Sequence, residues 1–200
     1  MIQIDAIELL DFDHWIGAFP DHTQQAAMMA INQVADRDGR ASIKRDILQE
    51  LAFKPSYLNE ERLGVRQKAT KSRLEAIVRG RDRPTSLARF VVGGERALMS
   101  RLKSKRKNAG EVRVQVKVGR TTPIKNAFAV RLKNGNVGLA VRTKNPMRNS
   151  RGAVPLGRGA YLLYAPSVDQ AMKTLIPNKA PRIADSLMVE FNRQLTRLIK

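Results

Sequence analysis

Two alternating apolar runs joined by a turn decide the fold of this chain; residues 128–141 read FAVRLKNGNVGLAV. Large apolar side chains occupy every second position on both sides of Asn134 and Gly135. Alternation with a period of two predicts strands that bury one face. Asn-Gly between such runs is a strong hairpin signal, because both central residues of a tight turn must accept a positive φ. The stretch therefore predicts an antiparallel β-hairpin.

Three further stretches extend this hairpin into a sheet. Residues 112–118 read VRVQVKV and alternate as clearly as the hairpin, whereas residues 74–78 alternate more weakly. Residues 161–164, which read YLLY, predict a final strand. Together these stretches predict an antiparallel sheet of four to five strands.

The segments before the strands indicate helices. Asp21 and Gln24 have the spacing of a capping box, in which each side chain satisfies a free backbone N–H of the first turn. This spacing predicts a helix from residue 21 that ends at Gly39, a residue suited to the left-handed position after a helix. A second helix is expected from Ser42 until Pro55 stops it.

The C-terminal segment predicts two more helices. Ser167 and Gln170 repeat the capping-box spacing and start a short helix that ends by Pro177. Pro181 suits the first turn of the long closing helix. The apolar stripe of that helix consists of Ile183, Leu187, Phe191, Leu195 and Leu198.

The predicted fold class is thus α+β, with an antiparallel sheet of four to five strands packed by N-terminal helices and a long C-terminal helix. Residues 1–20 are expected to form an N-terminal arm or a short helix. Residues 21–200 are expected to form a single domain. Its segments near residues 100–110 and 143–159 are polar and basic, which indicates mobile loops.

The charge of the chain is unevenly distributed. Residues 112–168 contain eleven Lys or Arg and no acidic residue, in a protein of net charge +19. Residues 1–39 have seven acidic residues against Arg37 alone, which gives −6 and leaves +25 for the remainder. One-sign charge repels itself in a compact protein, so it usually persists where an anionic surface offsets it. Nucleic acid, an acidic membrane and an acidic protein partner are the alternatives, and an ordinary solvated face, which usually mixes both signs, is a fourth.

Phosphate contact fits this window better than base readout. Aromatic residues are 5% of the chain, and they are not interleaved with the basic strands in a way that would stack bases. No helix-turn-helix, zinc-finger or RNA-recognition signature is present. The candidate residues that face DNA or an acidic partner are Arg113, Lys117, Arg131, Lys133, Arg142, Lys144, Arg148 and Arg151.

Residue types that carry catalysis are scarce. The chain has no cysteine, and its two histidines, His14 and His22, lie near the acidic residues of the N-terminal segment. A metal site or an enzyme that uses these histidines is a remaining alternative. No phosphate-binding loop, membrane-length apolar run or secretory signal is present. We therefore expect no enzyme activity, no cofactor, no catalytic or metal-binding residue and no membrane partner, in a protein made on the cytoplasmic side.

A family resemblance begins at residues 163–168, which read LYAPSV and are followed by Met172. Other stretches follow in the same order along the chain. They are the Ala/Asn-rich first helix, PSYL at residues 55–58, PTSLARF at residues 84–90, the strand from Phe128 to near Arg142 and the amphipathic closing helix. Over roughly residues 21–198 the chain resembles the tailed-phage minor tail protein Z family, the tail completion proteins.

The resemblance implies a structural protein of the virion neck and tail, assembled in the host cytoplasm, that completes the tail and joins it to the head. It implies a ring, expected to be a hexamer, with the connector, tail terminator and tail tube as partners and genomic DNA in the channel, bound without sequence specificity. Two alternatives stay open: a basic nucleic-acid-binding protein without sequence specificity, and a scaffold whose basic face meets acidic segments of neighbouring copies. The candidate residues between copies are Asp11, Asp13, Trp15, Tyr164 and Pro166.

Overall fold

The chain forms two compact units. They are seen in a computed structural model, which describes residues 2–5, 20–103, 111–143 and 152–200. The helical unit comprises Met1–Ile47, Pro55–Asp82 and Val168–Lys200. The sheet unit comprises Leu48–Lys54 and Arg83–Ser167.

The α+β class with antiparallel strands and a long C-terminal helix is confirmed. The helices are α1 (Pro20–Val34), a π-helix (Ala35–Ala41), α2 (Ser42–Glu50), α3 (Gly94–Lys103) and α4 (Val168–Ile199), with short 3-10 helices at Pro55–Tyr57 and Leu87–Phe90. The strands are β1 (Ile2–Asp5), β2 (Leu63–Gln67), β3 (Glu75–Gly80), β4 (Thr85–Ser86), β5 (Val112–Lys117), β6 (Arg120–Ile124), β7 (Ala127–Arg131), β8 (Val137–Arg142), β9 (Ala153–Gly157) and β10 (Ala160–Ala165).

The strands form three sheets instead of the one expected. The helical unit contains a three-stranded sheet of order β1-β3-β2. The sheet unit contains a five-stranded sheet, in which β4-β10-β8-β7 are neighbours and β9 also pairs with β10, and a separate ribbon of β5 and β6. Alternation along a strand indicates a buried face but not the strand that pairs with it, so the number of sheets was not predictable from the pattern.

In the helical unit, α1 and α4 pack on each other and the core continues to the three-stranded sheet. The buried face of α1 is rich in alanine, with Ala26, Ala27 and Ala30 fully buried. Leu187 and Phe191 of α4 are large and fully buried. Small side chains on one helix leave room for large ones on the other, which is how cores reach their dense packing.

Part of the N-terminal segment expected to form an arm or a short helix is a strand. β1 pairs antiparallel with β3, with Ile4 opposite Ala76. Ile4 is buried and Gln3 is exposed, as expected for a strand with one face against a core. Residues 6–19 lie outside the described part of the chain.

The first helix does not end at Gly39 in a left-handed turn, so this prediction was wrong. The chain continues from α1 through the π-helix directly into α2. Gly39 is buried inside the π-helix, and a Cβ added there would lie 3.1 Å from Val78 Cγ2 and 3.6 Å from Ile4 Cδ1. The glycine is therefore explained by close approach to the sheet and not by a positive φ.

The two helices expected on either side of Pro177 and Pro181 are one helix, α4, with both prolines inside it. A proline removes a backbone hydrogen bond and disfavours a helix interior. The buried side chains nevertheless continue across this region, from Met172 and Leu175 to Ile183, and burial outweighs the local preference. Among the described residues, none of the helices has the length and apolarity needed to cross a membrane.

The first turn of α4 carries a buried carboxylate, Asp169, whose titration predicts a pH dependence. Burial raises the pKa of Asp169, but the hydrogen bond that it accepts from Lys173 (2.5 Å) helps to hold the pKa below its ordinary value of 3.8. The stabilisation is therefore present above that value and is lost as the pH falls through the lowered pKa. We expect the free energy of unfolding, from urea titrations, to decrease below about pH 4.

The matched variant is Asp169→Asn, which cannot ionise. At pH 7 we expect it to be about 1–2 kcal/mol less stable than the wild type, because it loses a charge-assisted hydrogen bond and a favourable helix-dipole interaction. Its stability should also fall less between pH 5 and pH 3. Equal acid sensitivity of the two proteins would contradict this assignment.

In the sheet unit, the hairpin predicted at residues 128–141 is confirmed. β7 and β8 pair antiparallel, and Arg131 lies opposite Val137. Gly135 has a φ of 79° but Asn134 does not have a positive φ, so the expectation of a positive φ at both residues was wrong. The N–H of Gly135 donates to the carbonyl of Leu132 (2.9 Å), so the turn is longer than two residues. β10 is the central strand of this sheet and pairs with β4, β8 and β9. Within the segments expected to be loops, residues 100–103 are helical and residues 153–157 form β9, while residues 104–110 and 144–151 lie outside the described part.

Candidate functional site

Six of the candidate contact residues cannot be placed in the fold. They lie outside the described ranges and are Asp11, Asp13, Trp15, Lys144, Arg148 and Arg151. The other seven are described, and all belong to the sheet unit.

The hairpin of β7 and β8 places its candidate cations at opposite ends. Arg131 is the last residue of β7, and Lys133 lies in the turn that follows it. Arg142 is the last residue of β8. Five residue steps along β8 separate this end from the turn, which is about 17 Å at the rise of a strand. The three candidates therefore do not form one cluster.

Arg142 is accompanied by two exposed cations that the sequence analysis did not select as contacts. Its backbone N–H donates to the carbonyl of Asn126 (3.4 Å), which is adjacent to Lys125. Arg142 also lies opposite Ala160, which follows the turn containing Arg158. Lys125, Arg142 and Arg158 are thus brought to the same end of the five-stranded sheet.

The side chain of Arg142 also contacts an aromatic ring. Its guanidinium carbon lies 5.7 Å from the centroid of Phe128, within the range of a cation–π interaction. Phe128 is half-buried on β7. An arginine held over a ring is restricted in its rotamers, so it can engage an anion with less loss of entropy than a free side chain.

The ribbon of β5 and β6 holds the remaining candidate cations. The side chain of Arg113 is 68% exposed and lies 3.4 Å from Glu111. Lys117, at the end of β5, lies opposite Arg120, the first residue of β6. Arg120 was missed as a contact because its strand carries no alternating apolar pattern, and all its residues from Arg120 to Pro123 are exposed.

The two units differ sharply in charge. By sequence the sheet unit contains twenty Lys or Arg against three acidic residues, a net charge of +17, whereas the helical unit has seventeen against fifteen, a net charge of +2. Within the acid-free window, Arg113 alone of the eight described basic residues has an ion pair. The seven exposed cations without one among the described residues are Lys117, Arg120, Lys125, Arg131, Lys133, Arg142 and Arg158. We call these seven residues the basic surface.

Several cations of the helical unit are, in contrast, neutralised by neighbours. Arg40 Nε donates to Asp36 Oδ1 at 2.6 Å, and this hydrogen bond raises the pKa of Arg40. The buried carboxylate of Glu190 accepts hydrogen bonds from Arg193 and Gln194, each at 2.7 Å. Paired charges of this kind stabilise a fold and largely cancel each other's electrostatic potential, so they attract a charged ligand weakly. The cations of the basic surface, which have no ion pair among the described residues, produce a positive potential.

A polar cleft of about 670 Å³ also lies in the helical unit, beside the π-helix. Its charged lining includes Asp36, Arg40 and Glu60, which compensate one another, and Lys68, which has no ion pair among the described residues. π-Helical turns are often found at functional sites. The mixed charge of the cleft, however, selects no particular class of ligand.

The remaining two candidates lie at the corner between β10 and α4. Tyr164 pairs with Ser86 of β4 and is half-buried, and Pro166 is exposed. Proline fixes its own φ and keeps the preceding residue, Ala165, extended. Ser167 follows it and is buried directly before α4.

The described residues contain no group of three or more His, Cys, Asp or Glu side chains able to hold a metal ion. His22 lies exposed on α1, and His14 is outside the described ranges. Comparisons with protein-family models, curated proteins and solved structures found no match to this chain.

Proposed function

We propose that this protein is a structural component of a tailed-phage virion that completes the tail and joins it to the head, as a ring around the DNA channel. The observation that carries the proposal is the basic surface, seven exposed cations that form no ion pair with a described residue, on a unit of net charge +17. A polyanion such as DNA would offset the self-repulsion of such a surface. The resemblance of residues 21–198 to tail completion proteins supplies the biological setting.

A closed ring explains how a modest surface on each copy could act on DNA. Rotational symmetry would repeat the basic surface around the channel and form a positive collar. Each contact with a phosphate releases counterions and steepens the salt dependence of binding by about 0.9 in log–log slope. A collar through which DNA must pass should make few contacts per copy. We propose that the ring is a hexamer that contacts the connector, the tail terminator and the tail tube. We further propose that it is assembled in the host cytoplasm, is located in the virion and has no catalytic residue.

A second candidate function is non-specific binding of nucleic acid by the free protein, which the same surface favours. The two differ in affinity and in assembly. A free binding protein should hold duplex DNA tightly as a monomer, whereas a ring component should bind weakly as a monomer and gain affinity on assembly, because its sites then act together.

The decisive experiment is electron microscopy of particles produced without this protein. We expect separate DNA-filled heads and finished tails, because the joint between them would lack a component. Particles complemented with the wild-type chain serve as the control and should be joined. Normally joined particles in the absence of the protein would contradict the proposed function.

A further inference from the structure

The tip of the β5–β6 ribbon pairs two like charges. Lys117 and Arg120 are direct partners across the ribbon, separated by the two turn residues Val118 and Gly119. Both cations are exposed, and neither forms an ion pair with a described residue. Like charges directly opposite each other on two strands destabilise the pairing. An anion between or beside the two side chains would relieve this repulsion.

The ribbon is anchored firmly enough to present this pair in a fixed position. The N–H of Ala52 donates to the carbonyl of Val116 (2.9 Å), and the N–H of Val118 donates to the carbonyl of Glu50 (3.0 Å). Nearer the base, the N–H of Val92 donates to the carbonyl of Arg113 (3.0 Å). β5 is thus bonded along both edges. A site held in place before binding loses little entropy when the ligand arrives.

The second strand is available to a ligand. β6 pairs with β5 and has no other strand partner in the described part of the chain. Its residues Arg120, Thr121 and Thr122 are exposed. Threonine hydroxyls and arginine guanidinium groups are common donors to phosphate oxygens. Two carboxylates lie near β5: Glu111 pairs with Arg113, and Glu50, whose carbonyl accepts from Val118, forms no ion pair with Lys117 or Arg120.

We infer that the ribbon tip, formed by Lys117, Val118, Gly119 and Arg120, is a binding site for the backbone phosphates of duplex DNA. Because β5 is bonded along both edges, we infer that the exposed Lys117 and Arg120 side chains contact phosphate oxygens from outside the grooves. The inference rests on the proposed function and deepens it, because it names the element of the sheet unit that meets the DNA. An acidic segment of a neighbouring copy is the competing occupant.

The absence of cysteine makes a single-site cross-linking test possible. Val118→Cys places one thiol at the ribbon tip, where the valine is 50% exposed, and Val189→Cys places one on α4, where the valine is 69% exposed. Each variant is labelled with a benzophenone maleimide and irradiated with a short duplex of mixed sequence at low salt. We expect DNA cross-links from position 118 and few from position 189. Cross-links from position 118 to a second copy of the protein, with none to DNA, would overturn the inference.

A salt titration separates failure of this inference from failure of the proposed function. We expect the double variant K117Q/R120Q to lower the log–log salt slope of duplex binding by about 1.8, since each phosphate contact contributes about 0.9. The matched control is K68Q/K71Q, which removes two exposed cations of the helical unit that form no ion pair with another described residue, and it should leave the slope unchanged. A wild-type slope retained by K117Q/R120Q would overturn the ribbon site alone. The proposed function fails separately, if particles without the protein are joined normally.

A competition experiment with phosphatidylserine vesicles tests whether lipid phosphate is the ligand. We expect them not to compete with the duplex for the labelled ribbon tip, because a double helix and a flat headgroup layer present phosphates differently. If the vesicles compete fully with the duplex, and if K117Q/R120Q no longer binds the vesicles, the site belongs to a membrane surface and the inference is overturned.

Discussion

Neutralising Arg131, Lys133 and Arg142 together, as glutamines, is expected to lower the affinity for duplex DNA by roughly 10²–10³-fold at about 0.1 M salt. These cations are exposed and form no ion pair within the described part of the chain, so we expect each to be available for a phosphate contact. Loss of three contacts should also reduce the log–log salt slope by up to about 2.7. Fluorescence anisotropy with a labelled duplex across a salt series measures both quantities.

The matched control for this triple variant removes three cations from the helical unit. Lys44, Lys68 and Lys71 form no ion pair with a described residue, so K44Q/K68Q/K71Q changes the net charge equally. If affinity depended on net charge alone, both triple variants would weaken binding alike. We expect the control to bind within about two-fold of the wild type, because screening limits distant charges to a range of about 10 Å.

The triple variant also tests the scaffold alternative. If the basic surface instead meets acidic segments of neighbouring copies, R131Q/K133Q/R142Q should prevent oligomer formation and leave DNA binding unchanged. Sedimentation of wild type and variant, with and without DNA, distinguishes the two results. The proposed function requires that the variant lose DNA binding, and retained affinity would contradict the placement of these three residues at the DNA.

Phe191→Ala is expected to destabilise the protein by about 4 kcal/mol. The side chain of Phe191 is 1% exposed on α4, which packs on the alanine-rich face of α1. Truncation removes buried apolar surface and leaves a cavity that the helices cannot fully close. The midpoint of a urea titration monitored by circular dichroism should fall accordingly.

Val189 provides the control on the same helix. It is 69% exposed, two residues from Phe191. Val189→Ala should change the stability by no more than about 0.5 kcal/mol, because the side chain contributes little burial. Equal destabilisation by the two substitutions would contradict the orientation of α4.

The local patterns of the sequence determined much of this structure. The alternating residues 128–141 form the hairpin of β7 and β8, with Gly135 at a positive φ as its turn type requires. The stripe that includes Leu187 and Phe191 forms the buried face of α4. These features were predictable because buried side chains recur about every second residue along a strand and about every 3.6 residues along a helix.

Long-range packing decided features that such patterns do not carry. Gly39 suggested a helix end, but contact with Ile4 and Val78 places it inside a π-helix. Pro177 suggested a break, but the buried residues on both sides keep α4 continuous. In both cases a local preference of a few kcal/mol competes with burial against residues distant in sequence.

Some features of the candidate site also follow from the sequence, whereas others depend on the tertiary structure. The sequence by itself determined that the window of residues 112–168 is basic and acid-free, because charge is a property of composition. Only the tertiary structure decided that this charge lies on one unit of net charge +17, and that the pairing of β8 with β10 brings Arg142 and Arg158 to the same end of a sheet. Strand register, which sets these neighbours, depends on which distant strands bury each other's side chains, and no residue encodes that alone.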